Sequence, residues 1–253
     1  GEYLDSAQVA RIRAEGARIY AEFPALNGNG YVEKHPEAWP IDRYGQRSPQ
    51  ADWFMGVCPT EPGFRASRMK ALRDLLRRHR LDGVWMDYVH WHAQFESPAP
   101  ILPETCFCDH CLTAFQASTG VAVPAGSTPE RADWILSNTE REWRDWRCDV
   151  VTGWARDMKE IIRRESPGAL LGLFHAPWND TDHDGARRRI LGLDFQQLAR
   201  VVDVFSPMVY HGRMGRSPEW VGEYVAWFCG ALGLDGEHGP RVWPIVQASD
   251  EPV

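Results

Sequence analysis

Along the chain, apolar positions switch between a helical period and a strand-like one. "EYLDSAQVARIRAEG" predicts a helix with Gly16 at its end, and "ARIYAEFP" predicts a strand. "WFMGVCP" is a second apolar run and predicts another strand. "FRASRMKALRDLLRRHR" places Met69, Leu72, Leu75 and Leu76 on one helical face. "DGVWMDYV" predicts a third strand, entered through a turn at Asp82-Gly83. From about Trp134 to Glu165 the residues Trp143, Trp146, Val150, Trp154, Met158, Ile161 and Ile162 recur at helical spacing, and Pro167-Gly168 closes that helix. "ALLGLFHAPW" and "VDVFSPMVY" predict two more strands. "SPEWVGEYVAWFCGALG" predicts a helix with Ser217 at its N-cap, and "RVWPIVQAS" a sixth strand.

Strands alternating with helices imply a parallel sheet covered by helices. No strand is followed by a glycine-rich phosphate loop, so the nucleotide-binding versions of such a sheet lose support. Polar and aromatic residues stand at the strand ends instead: Glu22, Asp87, His175, Tyr210 and Gln247. In a barrel, the ends of the strands carry the chemistry. The fold expected is therefore a TIM-like (β/α)8 barrel, incomplete in this chain because the first and last strands are not evident. A single domain over 1–253 is expected, with an insertion around 89–133 after the Asp87 strand.

Composition narrows the partners. With 28 basic and 35 acidic residues the net charge is −7, which argues against a general nucleic-acid or anionic-membrane binder. No apolar run is long enough to span a bilayer. No signal peptide is visible at the start, so the compartment stays open. Twelve tryptophans are many for 253 residues. Most belong in the core, and a few are expected to be platforms for sugar rings.

"CFCDHC" places Cys106, Cys108 and Cys111 within six residues. A C-x-C-x-x-C loop can share one soft cation. His110 is an awkward fourth ligand because it lies between two others; Cys58, at the end of a neighbouring predicted strand, is a better one. C-x-C is poor geometry for an internal disulfide. Cys148 and Cys229 fall on helices and read as core.

These residues resemble a known family. "VCPTEPGFR", a helix, "DGVWMDY" and then "CFCDHCLTAF" resemble the zinc-bearing region of the β-galactosidases of glycoside hydrolase family 42, over roughly Trp53 to Phe115. The resemblance implies a structural zinc held by Cys58, Cys106, Cys108 and Cys111. The chain departs from that family at the catalytic positions. Its acid/base lies in an Asp-Asn-Glu run, where this chain has Asp87-Tyr88-Val89, and its nucleophile is a glutamate where "VWPIVQASD" offers Gln247. "DGVWMDYVHW" is more similar to the glycoside hydrolase-like barrels whose strand reads D-G-[IV]-x-x-D-[YF]. That resemblance implies that Asp87 is the catalytic carboxylate.

Glycoside hydrolysis uses two carboxyl groups across the scissile bond. Asp87 is the first. The second stays open among Glu22, the "WNDTDHDG" residues Asp180, Asp182 and Asp184, and Asp250 and Glu251. Arg65, His90, Trp91, His92, His175, Trp178, Tyr210, His211 and Gln247 are the other candidate substrate-binding residues. Two alternatives remain. His90, His92, His175 and His211 could hold a catalytic metal, as in metal-dependent hydrolases, or the barrel could bind carbohydrate without cleaving it. The expected partner is a carbohydrate, with neither nucleic acid nor membrane; the oligomeric state is not legible.

Overall fold

A computed structural model describes residues 5–248. Its sheet contains six parallel strands: β1 (Tyr20–Pro24), β2 (Gly83–Asp87), β3 (Leu170–His175), β4 (Val204–Val209), β5 (Arg241–Val242) and β6 (Ile245–Val246). Strand order follows chain order, with β5 and β6 both pairing with β4. In-register pairs step across the sheet, Glu22 beside Trp85 and Trp85 beside Gly172. The result is an arc of a (β/α) barrel whose edges, β1 on one side and β5/β6 on the other, do not meet among the described residues.

The helices cover the convex face. α1 (Ser6–Ala14) precedes the first strand and α2 (Pro62–Arg78) follows it. α3 (Asp109–Thr119), α4 (Thr128–Asn138) and α5 (Glu140–Glu165) lie between β2 and β3. α6 (Ala186–Arg189) and α7 (Phe195–Leu198) precede β4, and α8 (Glu219–Leu232) follows it. Local chemistry sets their ends. The Glu61 carboxylate accepts hydrogen bonds from the Gly63 and Phe64 amides at 2.9 and 2.5 Å, with Pro62 opening α2. Ser127 and Glu130 form a reciprocal capping box at the start of α4. α5 buries Trp143, Trp146, Val151, Trp154, Met158 and Ile162 along one stripe. The tryptophans of the long helix are core, as their spacing implies.

Four expectations are corrected. "WFMGVCP" is not a strand: it forms only isolated bridges, Asn27 with Gly56 and Ala51 with Phe54. The long helix is two helices, broken at Thr139, whose φ of −140° is not helical. The last predicted strand is two short pieces separated at Trp243-Pro244, where proline has no amide hydrogen for the ladder. At α8 the N-cap position falls on Pro218 rather than Ser217. No helix among the described residues is long and apolar enough to cross a membrane.

Alternation along the strands divides their side chains between two faces. Ala21 and Phe23 turn into the helical layer, while Tyr20 and Glu22 are exposed on the concave face. The concave face has an aromatic floor. Trp85 stacks on Trp243 with centroids 5.5 Å apart and planes 17° apart, and Tyr20 meets Trp85 edge-on at 4.8 Å. The Trp85 indole N–H donates to Ser206 Oγ at 2.9 Å. The indole lies over Gly172, where a Cβ would come within 2.2 Å of the ring. Only glycine admits that approach.

Candidate active site and metal centre

Asp87 ends β2 on the same face as Trp85, one pleat above the aromatic floor. It lines a cleft together with Trp53, Phe54, Tyr88, His90, Phe95, Glu96 and Phe174. Tyr88 turns the chain out of the strand with a left-handed φ of 52°. Its ring stacks on Phe54 at 5.2 Å and meets Trp53 edge-on at 5.8 Å. Asp87 Oδ1 accepts the Tyr88 amide at 2.8 Å.

The cleft is acidic. The Asp87 carboxyl is raised to about 7, first by burial and then by the charge of Glu22; Glu96 adds a smaller push. Glu96 is buried, and burial raises its carboxyl while Arg213 lowers it. Arg213 Nη1 stands 3.3 Å from Glu96 Oε2, and its Nε donates to the Glu96 carbonyl at 3.0 Å. Gln247 Oε1 accepts the Arg213 amide at 3.0 Å. Tyr88 and Tyr210 are each raised to about 12, chiefly by burial and then by these carboxylates.

The structure brings Asp87, Glu22, His90, Tyr210 and Gln247 to this region and leaves other candidates outside it. Arg65 lies on α2, where it pairs with Asp157 at 2.8 Å and covers the Trp154 ring. Trp91 is fully buried, its indole N–H donating to the Arg147 carbonyl at 3.1 Å under the Arg147 guanidinium. His175 is enclosed by Phe195, Phe205 and Phe228. Trp178 is buried behind Phe95 and packs on His183. His211, past the end of β4, is partly buried and donates its amide to the Val209 carbonyl at 2.9 Å. The acidic loop is also committed to arginines, Asp180 to Arg187, Asp182 to Arg216 and Asp184 to Arg189. Asp250 and Glu251 lie outside the described residues.

The four histidines do not form a metal cluster among the described residues. Both ring nitrogens of His92 are engaged: Nδ1 accepts the Gly56 amide at 3.0 Å and Nε2 donates to the Pro49 carbonyl at 2.9 Å. His90 and His175 each donate Nδ1–H to a carbonyl, of Trp91 and Ala176 respectively. Burial lowers them to about 4 and about 3, so both are neutral.

The cysteines do converge. The sulfurs of Cys58, Cys106, Cys108 and Cys111 all lie within 4.8 Å of one another. Cys58 Sγ is 3.4 Å from Cys108 Sγ and 3.5 Å from Cys111 Sγ. A tetrahedral metal with sulfur bonds of about 2.3 Å needs sulfur–sulfur edges of roughly 3.8 Å, so the set fits one metal ion. Hydrogen bonds from the Cys106, Cys111 and Cys58 thiols pull the Cys108 thiol far down, while burial pushes Cys106 and Cys111 up. The Ile41 amide donates to Cys106 Sγ at 3.3 Å, and Thr60 Oγ1 lies 3.3 and 3.2 Å from the Cys58 and Cys111 sulfurs. Such outer contacts orient metal-binding thiolates. The cluster joins the loop that carries Trp53 and Phe54 to the loop that carries His90 and Glu96.

Sequence reasoning missed Glu96, Arg213, Tyr88, Trp53 and Phe54 as cleft residues. Glu96 stands in "AQFESP", a loop with no periodic pattern to orient its carboxyl. The only signal in the sequence is its nearness to Asp87.

No family model matches the chain, and no curated protein matches it in sequence. Solved structures do match in fold. A β-galactosidase from the psychrophilic Marinomonas ef1 is 11% identical with a TM-score of 0.62, covering 92% of this chain and 42% of that one. The PgaB (BpsB) glycoside hydrolase domain from Bordetella bronchiseptica is 14% identical with a TM-score of 0.61, over 86% of this chain and 58% of that one. Gan42B, a GH42 β-galactosidase from G. stearothermophilus, is 17% identical with a TM-score of 0.55, over 81% and 32%. The chain thus has the fold of glycoside hydrolase barrels and spans less than two thirds of each of these proteins.

Proposed function

We propose that this chain carries the catalytic face of a glycoside hydrolase acting on an oligo- or polysaccharide. The observation that carries the reading is Asp87, a carboxyl at a strand end that keeps its proton up to about 7 in an aromatic-lined cleft. A carboxylic acid that stays neutral near physiological pH can protonate a glycosidic oxygen as its bond to the anomeric carbon breaks. Trp53, exposed at the rim, and the Tyr88–Phe54 stack offer faces for sugar rings. His90, which lines the cleft, and Tyr210, whose hydroxyl feels the Asp87 and Glu96 charges, would bind sugar hydroxyl groups. Support from the comparisons is at the level of fold.

Cys58, Cys106, Cys108 and Cys111 would hold zinc. A zinc closed by four thiolates has no position for water or substrate, so its contribution is to hold the two cleft loops together.

The test measures reducing ends released from a panel of oligosaccharides and aryl glycosides, beside binding by calorimetry. The account expects hydrolysis by the wild type, a loss of about 100-fold or more in Asp87→Asn, and retained binding in that variant. Binding without hydrolysis in the wild type would make the protein a carbohydrate-binding barrel instead.

A further inference from the structure

Two-carboxylate hydrolysis requires a gap. The groups stand about 5–5.5 Å apart when one attacks the sugar directly and about 6.5–9.5 Å apart when a water intervenes. Glu22 lies near enough for its charge to raise the Asp87 carboxyl, and it is not among the residues that line the cleft. Glu22 therefore acts on Asp87 rather than on substrate. Its negative charge beside Asp87 helps hold the proton there.

Glu96 lines the same cleft as Asp87 and reaches it from a different segment, the loop nine residues further along the chain. It is the buried carboxyl that carries a cationic partner in this cleft. Arg213 grips it twice, through its carboxylate and its own carbonyl, and Gln247 fixes the Arg213 backbone. An ion pair of this kind favours the charged form of a buried carboxylate. The cleft thus holds Asp87 with the charge of Glu22 beside it and Glu96 with Arg213 beside it, the cation opposing the burial that raises the Glu96 carboxyl. Two carboxyls with neighbours of opposite charge are set apart as acid–base hydrolysis needs.

We infer that Glu96 is the second catalytic carboxylate of this cleft, with Arg213 as the residue that positions it. The inference rests on the glycoside hydrolase reading. In the step it implies, Asp87 gives its proton to the leaving oxygen as the glycosidic C–O bond breaks. Glu96 takes a proton from the water whose oxygen bonds to the anomeric carbon, or bonds to that carbon itself until water releases it. Both routes sum to one glycoside and one water giving two hydroxyl products.

The experiment follows hydrolysis of whichever glycoside the wild type cleaves, in Glu96→Gln, Glu96→Ala with added azide or formate, Arg213→Ala and Glu22→Gln. Glu96→Gln is expected to lower kcat by about 100-fold or more with little change in KM, and the small anion to restore part of the Glu96→Ala rate. Arg213→Ala is expected to move the acid limb of the kcat/KM profile to higher pH, since Glu96 then faces Asp87, Glu22, Tyr88 and Tyr210 with no cation. Glu22→Gln is expected to move the alkaline limb down. A merely structural Arg213 would move neither limb, and its pH profile remains readable should Glu96→Gln fail to fold. Turnover by Glu96→Gln within about threefold of the wild type overturns the inference and leaves the glycosidase reading standing. A wild type that cleaves no glycoside overturns both.

Discussion

The charge of Glu22 on β1 bears on the Asp87 carboxyl at the end of the neighbouring β2. Burial first, and then the neighbouring Glu22 charge, raise the Asp87 carboxyl to about 7. Asp87 is half-buried near Glu22, Glu96, Tyr88 and Tyr210, with Arg213 turned toward Glu96.

Burial, reinforced by the Glu22 charge, makes Asp87 a stability liability at high pH. Its folded pKa is raised above the unfolded value, so its stabilising contribution is full below about 4 and is lost as pH rises through about 7. Asp87→Asn is expected to flatten that decline and to raise stability at pH 8 by about 1 kcal/mol, while removing activity. Thermal melts of the two proteins from pH 4 to pH 9 check this; equal pH slopes would contradict it.

His90 and His175 produce the opposite slope. Their folded values, about 4 and about 3, lie below the unfolded value near 6.5. Stability from their neutral burial is present above about 6.5 and is lost as pH falls toward 3. His175→Gln is expected to weaken the acid-side decline in denaturant midpoints between pH 6.5 and pH 4. An unchanged decline would place the acid sensitivity elsewhere.

Metal content tests the cysteine cluster. The wild type is expected to bind one zinc per chain, and Cys108→Ser to lose it with a melting temperature lower by roughly 10 °C, the scale of about 3–5 kcal/mol in a chain of this size. Zinc retained at full stoichiometry in the variant would mean that other ligands hold it.

The aromatic floor gives a packing prediction. In Gly172→Ala the new methyl would meet the Trp85 ring, which is held between Gly172, Trp243 and the Ser206 hydroxyl. The expected cost is about 1–3 kcal/mol, seen in urea unfolding, with a red-shifted tryptophan emission as Trp85 loses its stack. A neutral substitution would show that the ring can slide.

Sequence carried much of this architecture. The Asp82-Gly83 turn, the alternation through Trp85 and Asp87, and the apolar stripe of α5 all reflect local periodicity, which short windows reveal. "WFMGVCP" misled because a short apolar run buries equally well as a loop; Met55, Val57 and Cys58 are buried without ladder partners on a regular strand. The helix break at Thr139 was hidden because the apolar period runs through it. The four cysteines were legible because metal-binding spacing is chemically narrow. Glu96 and Arg213 were not, because they are far apart in the chain and meet only when the β2 and β4 loops close over one cleft.

The role of Asp87 as proton donor is tested most directly by leaving-group dependence. Wild type and Asp87→Asn are compared on aryl glycosides of one sugar whose phenols range from strongly acidic to weakly acidic. A leaving group that departs without a proton has no need of the acid. The account predicts that Asp87→Asn stays close to the wild type on the most acidic phenols and falls about 100-fold or more behind it on the least acidic. A loss of equal size across the whole series would contradict it.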